Sequence, residues 1–466
     1  KGVLGQEALT FIDSIVAGGF RVWQFLPLGP THGHGSPYES LSTFAGNPEL
    51  IDLRPCLATG WLPQDTTLED VSGTQHANYR SQAAQAFWQN VQKDTALAEQ
   101  VAAFQTQQSF WLDDFALFSA LKSATNKAAW WQWTDDLRNR DEIALKSAKH
   151  EHQTRIQQII FEQFIFAEQW QAIKVYAESK GVQLFGDLPI YVAHDSADVW
   201  ANPQFFTLDE QGECTEVAGV PADYFSKTGQ RWGNPLYQWD VLQADGFDWW
   251  VQRIAHQLTR MHMLRIDHFL ALEAFWVIPA ESDTGLVGEW RKAPGQALLQ
   301  TLQDKLGNLP LIAEDLGTIT EEVTALRKQF GLPGMKILHF AFGGDDSNPY
   351  LPHNHEEDSV VYTGTHDNDT TMGWFASSEE HVQNHALEVL NAKTEDMPWA
   401  LIEAALASPA LLSVIPMQDI LELGTEAKFN TPGTLGGNWS WRLETIPELD
   451  HACWQKSKQL NQMYHR

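Results

Sequence analysis

The sequence predicts an α/β fold, a (β/α)8 (TIM) barrel enlarged by insertions. Three observations predict it: a recurring helix–glycine–apolar-run phrase, apolar runs too short and continuous for half-exposed strands, and acidic residues at the ends of those runs. The phrase opens at Leu4, Ala8, Phe11 and Ile15, which share one helical face; Gly18 and Gly19 stop the helix and Phe20–Leu28 reads as a strand. Trp170, Ile173 and Tyr176 repeat the helical half, Gly181 ends it, and Val182–Leu188 is the next strand. Trp250, Ile254 and Leu258 lead into Met261–Ile266, here without the glycine. Leu298, Leu302 and Leu306 with Gly307 precede Leu309–Ala313, and Val323, Leu326 and Phe330 with Gly331 precede Met335–Ala341. Val360–Thr365 and Leu411–Pro416 complete seven strands.

Continuous apolar strands imply burial on both faces, hence a parallel sheet flanked by helices. Alternation alone leaves an open doubly wound sheet equally available. Polar residues leaving the C-terminal ends of many different strands favour the barrel. An eight-stranded barrel then lacks one strand, expected before Leu4.

More than 100 residues separate the first two strands, too many for a structureless loop. Residues 57–165, with a central stretch rich in Ala, Gln, Trp and Phe, are therefore expected to form a helical insertion. Residues 202–240, rich in Gly, Pro and aromatics, read as a second insertion, a loop able to cover substrate. Together, residues 1–466 read as one catalytic unit.

Composition narrows the function. With 31 Lys+Arg against 60 Asp+Glu the net charge is -29, which leaves no basic face for nucleic acid and disfavours an anionic membrane surface. A neutral ligand such as a sugar is compatible with it. Cys56, Cys214 and Cys453 lie far apart and form no CxxC pair, as expected of a reducing, cytoplasmic setting. No apolar stretch is long enough to span a bilayer.

Four acidic motifs sit where strands end: Gly186–Asp187–Leu188–Pro189, Arg265–Ile266–Asp267–His268, Glu314–Asp315–Leu316–Gly317 and His366–Asp367–Asn368–Asp369. In a barrel the last three bring carboxylates to one mouth. Glycosidic-bond chemistry needs one protonated acid to release the leaving oxygen and one carboxylate to attack carbon. Arg265 lies two residues before Asp267, on the same face of the strand, and its charge is expected to lower that carboxylate's pKa. His32–Gly33–His34 and His353–Asn354–His355 lack the further ligands of a metal site. Asp367–Asn368–Asp369 lacks the glycine and final glutamate of a calcium loop, and Gly33–His34–Gly35 opens no helix.

The four motifs, in this order, resemble the α-amylase superfamily. More narrowly, the chain resembles the 4-α-glucanotransferases (amylomaltases, disproportionating enzymes) of glycoside hydrolase family 77. That match rests on Leu26–Pro27–Leu28–Gly29–Pro30–Thr31, Ser36–Pro37–Tyr38, Phe44–Ala45–Gly46–Asn47–Pro48, Gly219 to Ser226, Gly229 to Tyr237, Gly334–Met335–Lys336 and Gly436–Gly437–Asn438–Trp439. The resemblance implies Asp267 as nucleophile, Glu314 as general acid/base and Asp367 as the third carboxylate, gripping sugar hydroxyls. It places Asp187, Arg265 and His366 around the reacting glucose with Tyr38 stacked on it, and Tyr224, Phe225 and Trp232 in an aromatic loop over donor and acceptor sugars. It implies maltooligosaccharides and α-1,4-glucans as partners, and no metal or organic cofactor. The chain departs from the family pattern at Gly33, a usual tyrosine position, at Gly343–Gly344, and at Leu270–Ala271 after the usual Phe269. An α-glucan hydrolase would use the same carboxylates, and a non-catalytic glucan-binding protein could retain the barrel.

Overall fold

Each of the seven apolar runs holds a strand, and all but the second strand are shorter than their runs. The computed structural model describes residues 2–69, 72–222, 226–434 and 436–466. The strands in these runs are β1 (Val22–Gln24), β2 (Gln183–Pro189), β5 (Met263–Asp267), β8 (Leu311–Ala313), β9 (Gly334–Ile337), β10 (Ser359–Tyr362) and β11 (Leu412–Val414). The intervening numbers belong to β3 (Glu216–Val220), β4 (Gln230–Pro235), β6 (Ala274–Pro279) and β7 (Glu289–Lys292). The outer residues of each run serve as turns into and out of the sheet.

The seven strands pair in parallel and in chain order. β1–β2–β5–β8 forms one arc and β9–β10–β11 a second. The arcs are joined where Ala313 N donates to Pro333 O at 2.9 Å and the Asp315 carboxylate accepts from Met335 N at 2.7 Å. Gly334 is required there, because a Cβ on it would collide with the Asp315 carboxylate. One interior cluster contains side chains of all seven strands: Val22, Phe185, Met263, Ile312, Met335 and Ile337, Val360 and Tyr362, Leu412 and Val414. A flat sheet cannot bring its first and last strands to one cluster, so the sheet curls into a barrel-like form. Across the remaining seam, residues of 22–28 and 413–418 line a common cavity of about 630 Å³.

Helices cover the outside, as continuous apolar strands require. Gln6–Ala17 buries Ile12 and Ile15, and Asp248–Arg260 buries Trp249, Trp250 and Ile254. Gly181, Gly307 and Gly331, all at positive φ, follow their helices where the sequence places helix ends. Helices Gly73–Val91, Thr95–Gln107, Leu112–Ala124 and Glu142–Glu151 occupy the long segment after β1. Its last helix, Gln153–Ser179, runs past the boundary expected at residue 165 and is itself the helix before β2. Phe87 ties the segment together, its ring 5.0 Å from Phe161 and 5.7 Å from Phe164.

A second sheet, antiparallel in the order β4–β3–β6–β7, is not expected from the sequence pattern. It takes β3 and β4 from residues 202–240, where the composition suggests a loop, and β6 and β7 from the segment after β5. Among the described residues no helix is long and apolar enough to cross a membrane.

Candidate active site

The four acidic motifs converge at the C-terminal ends of the parallel strands. Asp187 lies near the end of β2, Asp267 ends β5, Glu314 follows β8 and His366–Asp367 follow β10. Registers Asp187↔Arg265 and Arg265↔Ile312 carry the first three motifs side by side. The turn carrying His366 and Asp367 is closed by Asn368, whose Oδ1 accepts from Thr365 N at 2.8 Å.

Arg265 is the hub of the strand-end half. Its Nε donates to Asp187 Oδ1 at 3.0 Å, and its other guanidinium arm pairs with Asp267 Oδ1. The Tyr38 hydroxyl donates to the other oxygen of Asp187 at 2.6 Å and stands 3.4 Å from His366 Nδ1. The Tyr38 and His366 rings stack 5.1 Å apart. A network of this kind fixes the orientation of every member, since moving one leaves a buried polar group unpaired.

Glu314 is held by backbone. His268 N donates to its Oε2 at 2.6 Å and Leu316 N to its Oε1 at 3.0 Å. His268 adopts a left-handed conformation, φ 55°, unusual for a non-glycine residue and a local strain at the site. The neighbouring acid of this motif serves the sheet instead, since Asp315 joins the two arcs and faces Arg327 at 3.3 Å.

The acids differ in protonation for identifiable reasons. Burial raises the Glu314 pKa well above the carboxylate range, and the Asp267 charge raises it further. Asp267 is also raised, by burial first; Arg265 opposes this and Asp187 adds to it. This corrects the expectation that Arg265 lowers the Asp267 pKa, because desolvation outweighs the guanidinium. Asp367 goes the other way: burial would raise it, but the charge of His366 and hydrogen bonds from His366 and Asn430 hold it far below the usual range. His366 is correspondingly raised, burial being outweighed by Asp367 at 3.2 Å.

The structure brings together Asp187, Arg265, Asp267 and Tyr38, and couples Tyr38 to His366 and Asp367. Trp232, on β4, stands edge-on to the His268 ring at 4.7 Å and so reaches the same mouth. Tyr224 and Phe225 lie outside the described residues. Two further residues of the site are not marked as such by the sequence. Asn430 Nδ2 donates to Asp367 Oδ1 at 2.6 Å, and Trp439 packs 5.9 Å from Tyr38 and 5.8 Å from His366. Trp439 belongs to a motif that signals the family. Asn430 sits in a Pro/Gly turn with no spacing to mark it.

Acids gathered at the strand ends of a curled parallel sheet, Asp267 and Glu314 raised and Asp367 lowered, mark the active site of an enzyme. A family model described as 4-alpha-glucanotransferase matches residues 1–448, and the chain belongs to that family, glycoside hydrolase family 77. The chain is 47% identical to a 4-alpha-glucanotransferase of Thermus thermophilus, over 96% of this chain and 93% of that one. It is also 47% identical to the 4-alpha-glucanotransferase of a Synechocystis strain, over 95% and 90% of the two. The solved amylomaltase of Streptococcus agalactiae in complex with acarbose superposes with a TM-score of 0.94 at 34% identity, covering 100% of this chain and 96% of that chain.

Proposed function

We propose that this enzyme transfers α-1,4-glucan segments between maltooligosaccharides by a retaining double displacement. Glu314, protonated, gives its proton to the glycosidic oxygen as that bond breaks, while an Asp267 carboxylate oxygen bonds to the anomeric carbon. The departing glucan leaves with its new 4-hydroxyl. Glu314, now ionised, takes the proton from the 4-hydroxyl of an acceptor glucan. The acceptor oxygen displaces Asp267, which restores both carboxyls and the original configuration.

Asp367, held ionised, grips sugar hydroxyls and favours the flattened, positively charged ring of the transition state. Asp187, Arg265 and His366 frame the reacting glucose, and Tyr38 stacks on it. Trp232, with Tyr224 and Phe225, covers the bound chains so that an acceptor sugar outcompetes water. In this reading residues 1–466 form one catalytic (β/α)8-type unit carrying insertions at 57–165 and 202–240.

The observation that carries the reading is the convergence of the two acids: Asp267 ends β5 paired with Arg265, and Glu314 follows the adjoining β8, held by His268 N and Leu316 N. Burial raises both carboxyls, so the pair can share the acid and nucleophile roles. Maltotriose incubated with the purified protein should give glucose plus chains longer than three units. Glucose and maltose alone, with labelled water oxygen in the new reducing ends, would mean hydrolysis. Asp267→Asn should lower transfer by about 10⁴-fold or more while leaving glucan binding in place; unchanged turnover would remove Asp267 from its role.

A further inference from the structure

His366 and Asp367 stand on a loop, residues 363–371, that runs from the end of β10 to the helix Thr371–Ser377. Neither residue lies on a strand, so their place at the mouth depends on what fixes the two ends of the loop. Both ends meet one side chain. Thr363 Oγ1 donates to Asp419 Oδ2 at 2.6 Å, Thr371 Oγ1 donates to the same oxygen at 2.7 Å, and Thr371 N donates to Oδ1 at 2.7 Å. Asp419 belongs to the short helix Met417–Ile420 that follows β11, and it is 1% exposed. Thr363 and Thr371 are fully buried. The donors that meet this carboxylate are hydroxyls and a backbone N–H, and losing one of them leaves a buried acceptor unpaired. Burial and the charge of Asp369 push the Asp419 pKa up, and the hydrogen bonds oppose them by favouring the ionised form.

A second side chain forms a floor under the loop. His339 follows β9, is buried, and stacks its ring on Trp374 at 4.6 Å with the planes 6° apart. Burial pushes the pKa of this ring down to about 3, so it is neutral and only one of its nitrogens carries a proton. That nitrogen is Nε2, 3.0 Å from Thr371 Oγ1, because the threonine has already given its own proton to Asp419. His339 N donates in turn to Thr363 O at 3.1 Å. Gly364 rests on the ring itself: a Cβ there would stand 2.6 Å from His339 Cε1. The loop is thus clamped at both ends and floored between them, by residues that follow β9 and β11, the two neighbours of β10.

We infer that Asp419, together with His339, is a positioning residue for the transfer reaction: through Thr363 and Thr371 it clamps loop 363–371 and so holds Asp367 and His366 toward the sugar. The inference rests on the role proposed above for Asp367. A loosened loop leaves every strand-end carboxylate in place and misplaces only the group that grips the flattening ring. The loss therefore falls on kcat before KM.

Thr371→Val tests this, since it keeps the outline of the side chain and removes the hydroxyl that Asp419 and His339 share. Its kcat for transfer from maltotriose should fall about ten-fold or more, the scale of one hydrogen bond to a charged group, while Thr371→Ser, which keeps the hydroxyl, should stay within about two-fold of wild type. A cycle with Asp367→Asn separates positioning from support of the fold. It is run with α-maltosyl fluoride as donor, whose leaving group departs without an acid, so that slow variants stay measurable. A residue acting through Asp367 costs little once Asp367 is gone, whereas one that only supports the fold costs the same in both backgrounds. The expected loss on adding Thr371→Val to Asp367→Asn is therefore less than about two-fold. Equal losses in both backgrounds, or a Thr371→Ser protein as impaired as Thr371→Val, overturn the inference and leave the transfer reading intact. Thr363→Val, at the other end of the loop, runs the same cycle where Thr371→Val does not fold. Failure of both to fold assigns Asp419 to the fold alone and overturns the inference as well. An Asp367→Asn protein as active as wild type removes the role of Asp367, and the inference with it. Wild-type protein that converts no maltotriose overturns the transfer reading itself.

Discussion

Arg265 holds two carboxylates of the site and Asn430 one, in opposite surroundings. Arg265 is buried inside the barrel mouth, bound to Asp187 and Asp267 from a strand. Asn430 is a partly exposed amide on a loop, bound to Asp367, whose side chain is 47% exposed. In the first half burial dominates the chemistry and raises Asp267 and Glu314. In the second, neighbouring charge dominates and depresses Asp367. The contrast teaches that burial at the strand ends favours protonated carboxyls, while neighbouring charge in the loop half favours an anion.

Removing the hub should have the largest effect. Arg265→Met leaves two carboxylates on the buried side without their cation, and breaking a buried pair costs about 3–5 kcal/mol. Thermal or urea unfolding should show that loss, and transfer from maltotriose should fall to near background. A stable and active Arg265→Met protein would show that Asp187 and Asp267 are held by something else.

The next effect is on pH. The proposed double displacement needs Asp267 ionised and Glu314 protonated. Both pKa values are raised, so both limbs of kcat/KM against pH should stand above the ordinary carboxylate range. Activity falls on the acid side as Asp267 takes up a proton, and on the basic side as Glu314 loses one. The limbs belong to the pair, because the two groups titrate together. An acid limb at the pH of an ordinary exposed aspartate would mean that Arg265 outweighs burial after all.

The same division explains what could be read in advance. Strands and helix ends were legible because apolar runs and glycines are local signals, and Gly181, Gly307 and Gly331 occupy their expected turns. The acids were legible because each lies at or just beyond the end of its run. The direction of the Asp267 shift was not, since an arginine two residues away is visible in sequence whereas desolvation belongs to the assembled mouth. The β4–β3–β6–β7 sheet was hidden in part because β3 and β4 come from a Gly/Pro-rich segment that includes Gln230–Pro235, whose pattern signals turns, and because β7, Glu289–Lys292, has no apolar run. Asp315 shows what adjacency in the chain does not reveal: next to Glu314, it binds Met335 N and serves the sheet.

The smallest effect should come from Asn430→Ala. The substitution removes one hydrogen bond to Asp367 in a solvent-accessible place, and such contacts contribute about 1 kcal/mol or less, roughly five-fold. His366 remains 3.2 Å from Asp367, so the carboxylate stays ionised and neither limb of the pH profile should move. What changes is orientation: Asp367 is free to rotate, and if it grips the flattening ring as proposed, the loss should fall on kcat more than on KM. Asn430→Asp sharpens the point, since an added carboxylate against Asp367 should lower kcat further than alanine does. A shift of the acid limb in Asn430→Ala would instead place Asn430 among the groups that set protonation, and the distinction between the two halves of the site would fail.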